Sequence, residues 1–134
     1  MRVLVACEFS GIVRDAFAAR GHDAWSCDLL PTESPGNHIQ GDVLEILNDG
    51  WDLMVAHPPC TYLSYAATRW WNEDGRLWKR LDALQFFAKL WTAKIEKICI
   101  ENPMGCASPT IEKYTQIVQP YYWGDTESKR TCLW

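Results

Sequence analysis

Residues 52–60 read Asp-Leu-Met-Val-Ala-His-Pro-Pro-Cys, an apolar run stopped by two prolines and followed at once by a thiol. The apolar residues Leu53–Ala56 are typical of a buried strand. Two consecutive prolines end sheet pairing and stiffen the turn, because proline has no backbone N–H and a fixed φ. The pattern therefore predicts that Cys60 lies beyond the carboxyl end of a strand, the edge where open α/β sheets bind ligands.

A second strand-like run carries an acid in the matching place. Residues 97–100 read Lys-Ile-Cys-Ile, and Glu101-Asn102-Pro103 follow them. A nucleophile and a carboxyl group at the ends of neighbouring strands would make an active site. We therefore predict that Cys60 and Glu101 converge on one crevice.

Outside these two runs the chain alternates strand and helix patterns. Strands are predicted at residues 3–6, 24–27, 53–56 and 98–100, and helices at 12–18, around 43–47, at 77–91 and from Ser108-Pro109, with a final hairpin made by 121–123 and 131–134. This order predicts a mainly parallel, three-layer α/β sheet with right-handed crossovers. The length of 134 residues predicts one domain, spanning residues 1–134. The last strand stops at the final residue, so we expect a trimmed chain or a domain that another chain completes.

Composition excludes several classes of protein. With 48% hydrophobic residues the chain is not a disordered one. No apolar run approaches the roughly 20 residues that span a bilayer, so we expect a cytoplasmic protein with no membrane partner. The net charge of −4 gives no general attraction to nucleic acid. The six cysteines are dispersed without zinc-type spacing, which predicts reduced thiols and no metal site.

The ordered set of motifs resembles the catalytic domain of the DNA cytosine C5-methyltransferase family. Residues 8–11 (Glu-Phe-Ser-Gly) look like its Phe-x-Gly loop, residues 59–64 (Pro-Cys-Thr-Tyr-Leu-Ser) like its Pro-Cys-Gln-x-Phe-Ser segment, and residues 101–103 like its Glu-Asn-Val turn. The chain departs from the family at Val13, which replaces the second loop glycine, and at Thr61, which replaces the glutamine. The family's target-recognition domain has no counterpart, so we expect a partner subunit or a homo-oligomer to supply target recognition. The compactness of this resemblance suggests that the chain comes from a phage or another mobile element.

The resemblance implies a Rossmann-like methyltransferase sheet, the cofactor S-adenosylmethionine and cytosine-containing DNA as substrate. Cys60 would attack C6 of the base, Glu101 would hydrogen-bond N3 and the amino group, and Arg130 would hold O2. The cofactor would be bound by Phe9, Ser10, Gly11, Asp28, Asp42 and Pro58, and the substrate would also be bound by Pro59, Ser64 and Asn102.

Several of these residues have structural alternatives. Asp28 is equally well explained as a turn cap, Asp42 as the N-cap of a short helix, and Glu8 as a cap of the first helix. Trp70 and Trp71 could stack on a base or serve in a core or interface.

The function also stays open between several classes. The chain could be an enzyme that modifies free pyrimidine nucleotides, or a methyltransferase of amino groups. It could also be a catalytically silent domain that binds DNA or protein, an alternative favoured by Val13 in the glycine loop.

Overall fold

The computed structural model describes all residues from Met1 to Trp134. Its strands are Arg2–Ala6 (β1), Asp23–Asp28 (β2), His38–Gln40 (β3), Leu53–Ala56 (β4), Lys97–Pro103 (β5), Gln116–Val118 (β6) and Thr131–Leu133 (β7). The α-helices are Ile12–Ala18 (α1), Arg76–Trp91 (α2) and Ala107–Thr110 (α3), and the 3-10 helices are Val43–Glu45, Tyr65–Trp70 and Pro120–Trp123. The strands form a mixed sheet, mostly parallel with antiparallel pairing at the C-terminal end, which confirms the predicted α/β class.

The chain divides into two compact units. Unit 1 comprises Met1–Pro58 and Lys89–Ile100, and unit 2 comprises Pro59–Ala88 and Glu101–Trp134. Both segments of chemical interest, the Cys60 turn and the Glu101-Asn102-Pro103 run, belong to unit 2.

Unit 1 contains the parallel part of the sheet, in the order β3-β2-β1-β4-β5. All four residues from Val3 to Ala6 in β1 are fully buried. A strand buried on both faces is typical of a parallel sheet covered by other layers, and this explains its unbroken apolar sequence. On one face α1 packs its Val13 and Phe17 side chains against the core of Val3, Val5 and Ala24.

Helix α1 begins where the chain makes two left-handed turns. Cys7, directly after β1, has φ of 60°, and Gly11, the N-cap of α1, has φ of 80°. A Cβ at Gly11 would also overlap the Arg14 guanidinium, so only glycine fits there. The sequence around Gly11 therefore fixes both the turn and the start of the helix.

Unit 2 contains the antiparallel part of the sheet. Residues 101–103 of β5 pair with β7, and β6 pairs with the other edge of β7. The predicted C-terminal hairpin is therefore present, but its first strand is Gln116–Val118. The assignment of residues 121–123 to that strand is wrong, because Pro120 begins a 3-10 helix over those aromatic residues.

Three other predictions need correction. Strand β5 continues through Glu101, Asn102 and Pro103, whereas the sequence pattern ends it at Ile100. The sequence pattern does not predict the edge strand β3, because its three residues have no apolar alternation. Helix α3 begins at Ala107, so Pro109 occupies its third position instead of its first.

Helix α2 confirms the predicted long helix but not its full apolar stripe. Phe87 is completely buried, whereas Leu77 and Leu81 nearer the N-terminus are 53% and 45% exposed. None of the helices combines the length and the apolar character that crossing a bilayer requires.

Candidate functional site

The turn that begins at Cys60 is stabilised by hydrogen bonds within its own backbone. The Cys60 carbonyl accepts hydrogen bonds from the N–H groups of Leu63 and Ser64, at 3.0 and 2.9 Å. The turn exposes Pro59 and leaves Cys60 half-buried. This arrangement matches the expectation that the two prolines stop the strand and present the thiol on a stiff turn.

The same turn is fastened to the segment that follows Glu101 and Asn102. Cys106 N–H donates to the Leu63 carbonyl at 2.9 Å, and Tyr65 N–H donates to the Met104 carbonyl at 3.0 Å. Residues 60–65 and 104–106 are thus paired through their backbones within unit 2. The Cys60 turn is thus joined to the segment that follows Glu101-Asn102-Pro103 in sequence.

Gly105 makes this close approach geometrically possible. A Cβ added at Gly105 would overlap the Leu63 carbonyl oxygen and lie 2.7 Å from its carbon. Since these are backbone atoms, no side-chain rotation could relieve the overlap. Gly105 is therefore a required residue that the sequence argument missed, although a glycine shortly beyond Glu101 was a visible signal.

Glu101 and Asn102 lie inside β5 and not in a loop beyond it. Glu101 is opposite Leu133 and Asn102 is opposite Cys132 in the antiparallel pairing with β7. Glu101 is half-buried and Asn102 is buried. Burial raises the pKa of the Cys132 thiol, and the negative charge of Glu101 raises it further. The Glu101 carboxylate therefore interacts electrostatically with a side chain of β7.

Arg130 is exposed at the entrance to β7. It directly precedes Thr131, which pairs with Pro103 at the carboxyl end of β5. Its charge acts on Tyr121: a hydrogen bond with Tyr122 raises the pKa of Tyr121, and the Arg130 charge opposes this. Arg130 is thus brought to the correct end of the strand, but as a surface side chain.

Cys7, Cys27 and Cys106 are poor candidates for the nucleophile, as is Cys132. Burial, helped by the charges of Asp28 and Asp42, raises the pKa of Cys7 to about 12. Burial likewise raises the pKa of Cys27 to about 11 and that of Cys106 above its usual value. A thiol with a raised pKa stays protonated near neutral pH and is a weak nucleophile.

Unit 1 contains a cavity of about 310 Å³ at the start of α1, lined by Cys7, Glu8, Phe9, Ser10, Ile12, Val13 and His57. This volume is at the lower end of the range for ligand sites, about 300–1,000 Å³. Two of the residues predicted to bind the cofactor, Phe9 and Ser10, line it. Gly11 does not line it but shapes the turn behind it.

A carboxylate occupies the N-terminus of α1. Glu8 is buried, and its oxygens accept hydrogen bonds from the N–H groups of Val13 at 2.7 Å and Arg14 at 3.3 Å. Ser10 donates to the same carboxylate at 3.2 Å and accepts from Ile12 N–H at 3.3 Å. The alternative interpretation of Glu8 as a cap is confirmed. The helix N–H groups that would otherwise bind a phosphate are already in use.

The three remaining residues predicted to bind the cofactor lie in the same unit. Asp28 accepts a hydrogen bond from Leu30 N–H, and Asp42 accepts one from Leu44 N–H, both at 2.9 Å, so each caps a turn or helix. Their charges nevertheless act on Cys7, which lines the cavity. Pro58 is buried.

Arg14 is a buried residue that the sequence argument overlooked. Its guanidinium donates to five acceptors, namely Asp15, Ser26 and Thr32 side chains and the carbonyls of Ser34 and Pro35, at 2.8–3.3 Å. It is 1% exposed. Arg14 thus fixes the loop between β2 and β3 onto α1.

Ser64 has a local structural role. Its hydroxyl accepts a hydrogen bond from Ala66 N–H at 3.2 Å and caps the 3-10 helix that begins at Tyr65. It also forms an isolated bridge with Gly105. Its predicted role in substrate binding would have to be combined with this cap.

No group of three or more His, Cys, Asp or Glu side chains in the chain is arranged to hold a metal ion. No protein-family model matches the chain. No curated protein matches it by sequence. The function therefore has to be argued from the site itself.

Proposed function

We propose that this protein transfers a methyl group from S-adenosylmethionine to C5 of cytosine in DNA, with Cys60 as the nucleophile. The observation that carries the proposal is the backbone pairing of residues 60–65 with residues 104–106. It fastens the turn that bears the thiol to the segment that directly follows Glu101 and Asn102. The close approach at Gly105 makes this pairing specific.

Methyl transfer to cytosine C5 requires a thiol and a carboxyl group, and these two segments contain both. Cytosine C5 is a poor nucleophile until a group adds to C6 and breaks the aromaticity of the ring. A thiolate suits this step, because sulfur attacks well and also leaves again. Cys60 would add to C6, while Glu101 would hydrogen-bond N3 and the amino group and so stabilise the charge that develops on the ring. C5 would then take the methyl group, and loss of the C5 proton to solvent would restore the double bond and break the Cys60–C6 bond.

The cavity in unit 1 fits a cationic cofactor better than one that carries phosphate. The Glu8 carboxylate lies at the N-terminus of α1 and uses the N–H groups that bind phosphate in dinucleotide sites. S-adenosylmethionine carries a sulfonium and an ammonium group and no phosphate, and it supplies an electrophilic methyl group when bound. Phe9 and Ser10 would contact it, and the negative charges of Glu8, Asp28 and Asp42 would favour its positive ones.

The direct test is covalent trapping on DNA that contains 5-fluorocytosine, with labelled S-adenosylmethionine. The expected result is a stable adduct whose mass maps to Cys60. Cys60→Ser should abolish the adduct and lower transfer by at least about 10³-fold. Glu101→Gln should lower transfer by about 10²–10⁴-fold, as expected for a group that handles a proton.

Cys99→Ser is the matched control, because it removes another half-buried thiol of the chain. It should leave the adduct in place. Full transfer activity in Cys60→Ser, or an adduct on a different cysteine, would contradict the proposal.

A second candidate is a catalytically silent domain that binds DNA or protein. The observation that favours it is Val13, whose side chain lines the cavity where the family has a glycine. Calorimetry with S-adenosylmethionine and S-adenosylhomocysteine separates the two. A protein that folds but binds neither would support the silent domain.

A further inference from the structure

The first turns of α2 carry three basic side chains that stack on aromatic rings beside the Cys60 turn. The Arg76 guanidinium lies 5.0 Å from the centre of the Tyr62 ring, and the Lys79 ammonium lies 5.6 Å from it. The Arg80 guanidinium lies 4.1 Å from the centre of the Trp71 ring. We call this group, made of Tyr62, Trp71, Arg76, Lys79 and Arg80, the basic–aromatic cluster.

The cluster adjoins the candidate nucleophile directly. Arg76 donates a hydrogen bond to the carbonyl of Thr61 at 3.3 Å, and Thr61 is the residue after Cys60. Arg80 acts electrically on the thiol of Cys106, lowering the pKa that burial raises, and Cys106 is bonded to the same turn through Leu63. All of these residues belong to unit 2.

The arginines of the cluster have more N–H donors than the acceptors they contact. An arginine presents five N–H donors, yet Arg76 donates only to Thr61 and Arg80 only to the Trp71 carbonyl, at 3.2 Å. Buried nitrogens of Arg76 (Nε), Arg80 (Nε) and Trp71 (Nε1) have no acceptor. Buried donors without an acceptor are rare in folded proteins.

The cluster makes one long contact with a carboxylate. The ion pair of Arg76 with Glu73 is 4.0 Å long, at the outer limit for such a contact, and Glu73 is exposed. Lys79 is exposed to solvent and makes only its contact with the Tyr62 ring. The whole formal charge of −4 falls on unit 1, whereas unit 2 has equal numbers of acidic and basic residues. Unit 2 therefore repels an anion less than unit 1 does.

We propose that Arg76, Lys79 and Arg80 form a phosphate-binding site beside Cys60, which takes the phosphate on the ribose of the target cytosine. This inference rests on the proposed function, since it assumes that a cytosine nucleotide reaches Cys60. Guanidinium groups match phosphate oxygens two at a time, and rings stacked on them hold their planes in place. The phosphate would accept hydrogen bonds from the exposed Lys79 ammonium and from the guanidinium groups of Arg76 and Arg80. It would also fix the base relative to the thiol through the ribose.

The phosphate could come from two sources, a DNA backbone or a free nucleotide, and the experiment separates them. Binding is measured by calorimetry with Cys60→Ser and without S-adenosylmethionine, so that neither covalent addition nor methyl transfer takes part. The first pair of probes is deoxycytidine and dCMP, which differ only in the phosphate. The second pair is the trinucleotide d(TpCpT) and its version with neutral methylphosphonate linkages.

The expected result is that the charged member of at least one pair binds about tenfold or more tightly, as a charge-assisted contact requires. A difference confined to dCMP identifies a free nucleotide, and one confined to the trinucleotide identifies a DNA backbone. Lys79→Gln should reduce the difference several-fold without affecting folding, because Lys79 is exposed. Arg76→Lys keeps the positive charge but loses the planar guanidinium group. It should also reduce the difference in affinity between the charged and neutral probes.

The matched control is Lys89→Gln, which removes the same charge from an exposed position of the same helix. It should bind all four probes like the parent. Equal affinity for the charged and neutral members of both pairs, or no binding of any probe, would overturn the phosphate site. A phosphate-dependent difference combined with a failure to trap Cys60 would instead retain the site and reject the proposed methyl transfer.

Discussion

Two arginines show how differently the two units are built. Arg14 in unit 1 is 1% exposed and all five of its donors have acceptors. Arg76 in unit 2 has a side chain that is 15% exposed, donates one hydrogen bond, and leaves its Nε without an acceptor. A buried arginine with every donor satisfied is a structural element. A buried arginine with an unsatisfied donor is unusual, and Arg76 belongs to the proposed phosphate site.

The surfaces of the two units differ in the same way. Trp78 and Trp123 in unit 2 are 69% and 73% exposed. Unit 1 instead surrounds a fully buried β1 and leaves smaller apolar side chains such as Ile12 and Leu29 at its surface. The two units therefore differ in the kind of apolar side chain they expose, since unit 2 exposes large aromatic rings.

The strongest test of this comparison is Arg14→Leu. It would leave Asp15 and four other acceptors without their donor, and we expect a loss of about 3–5 kcal/mol in the free energy of unfolding. Urea denaturation measures this. Arg20→Leu, which changes an exposed arginine just beyond the same helix, should change stability by less than about 0.5 kcal/mol. Equal denaturation midpoints for the two variants would contradict the structural role of Arg14.

Gly105→Ala tests the close approach in unit 2. The added Cβ would overlap the Leu63 carbonyl, so we expect a loss of about 1–3 kcal/mol and a displaced Cys60 turn. The control is Gly41→Ala, where a Cβ has no atom within 4 Å. Equal stability of the Gly105→Ala and Gly41→Ala variants would show that the pairing of the two segments is loose.

The pH dependence of stability distinguishes the thiols of Cys7 and Cys27 in unit 1. The pKa of Cys7 is raised from 9.0 to about 12, so above pH 9 the unfolded chain loses a proton that the folded chain keeps. Stability should therefore fall as the pH rises from 9 towards 12, by up to about 1.4 kcal/mol per pH unit for this group.

Cys7→Ser should flatten that part of the curve. Cys27→Ser should flatten it over a narrower range, because the pKa of Cys27 is raised only to about 11. Chemical denaturation at a series of pH values measures both effects. Parallel curves for the parent and the Cys7→Ser variant would contradict the assignment.

The smallest effect is expected for the cap of the Tyr65–Trp70 helix. Ser64→Ala removes the hydroxyl that accepts from Ala66 N–H, and should cost about 1 kcal/mol. Thr68→Ala, which removes an exposed hydroxyl in the same helix, is the control and should be nearly neutral. If Ser64→Ala lowered transfer activity far more than stability, the hydroxyl would have a role in substrate binding beyond the cap.

Local sequence patterns were enough to predict much of the fold. The apolar runs in β1, β2 and β4 and the helical spacing of α2 predicted the α/β class, and the two prolines predicted where β4 ends. Asp42 could be recognised as a cap for the same reason, since a cap and its N–H partner are neighbours in sequence. These features depend on residues within a few positions of one another.

What the sequence by itself determined is the parallel strand–helix framework and the stiff turn that bears Cys60. The tertiary structure decided that Glu101 lies within a strand, because β7 comes from much further along the chain to pair with it. It also decided the five partners of Arg14 and the approach of Gly105 to Leu63. Contacts between residues distant in sequence leave no periodic signal, so only the packed chain reveals which donors are satisfied and which still lack an acceptor.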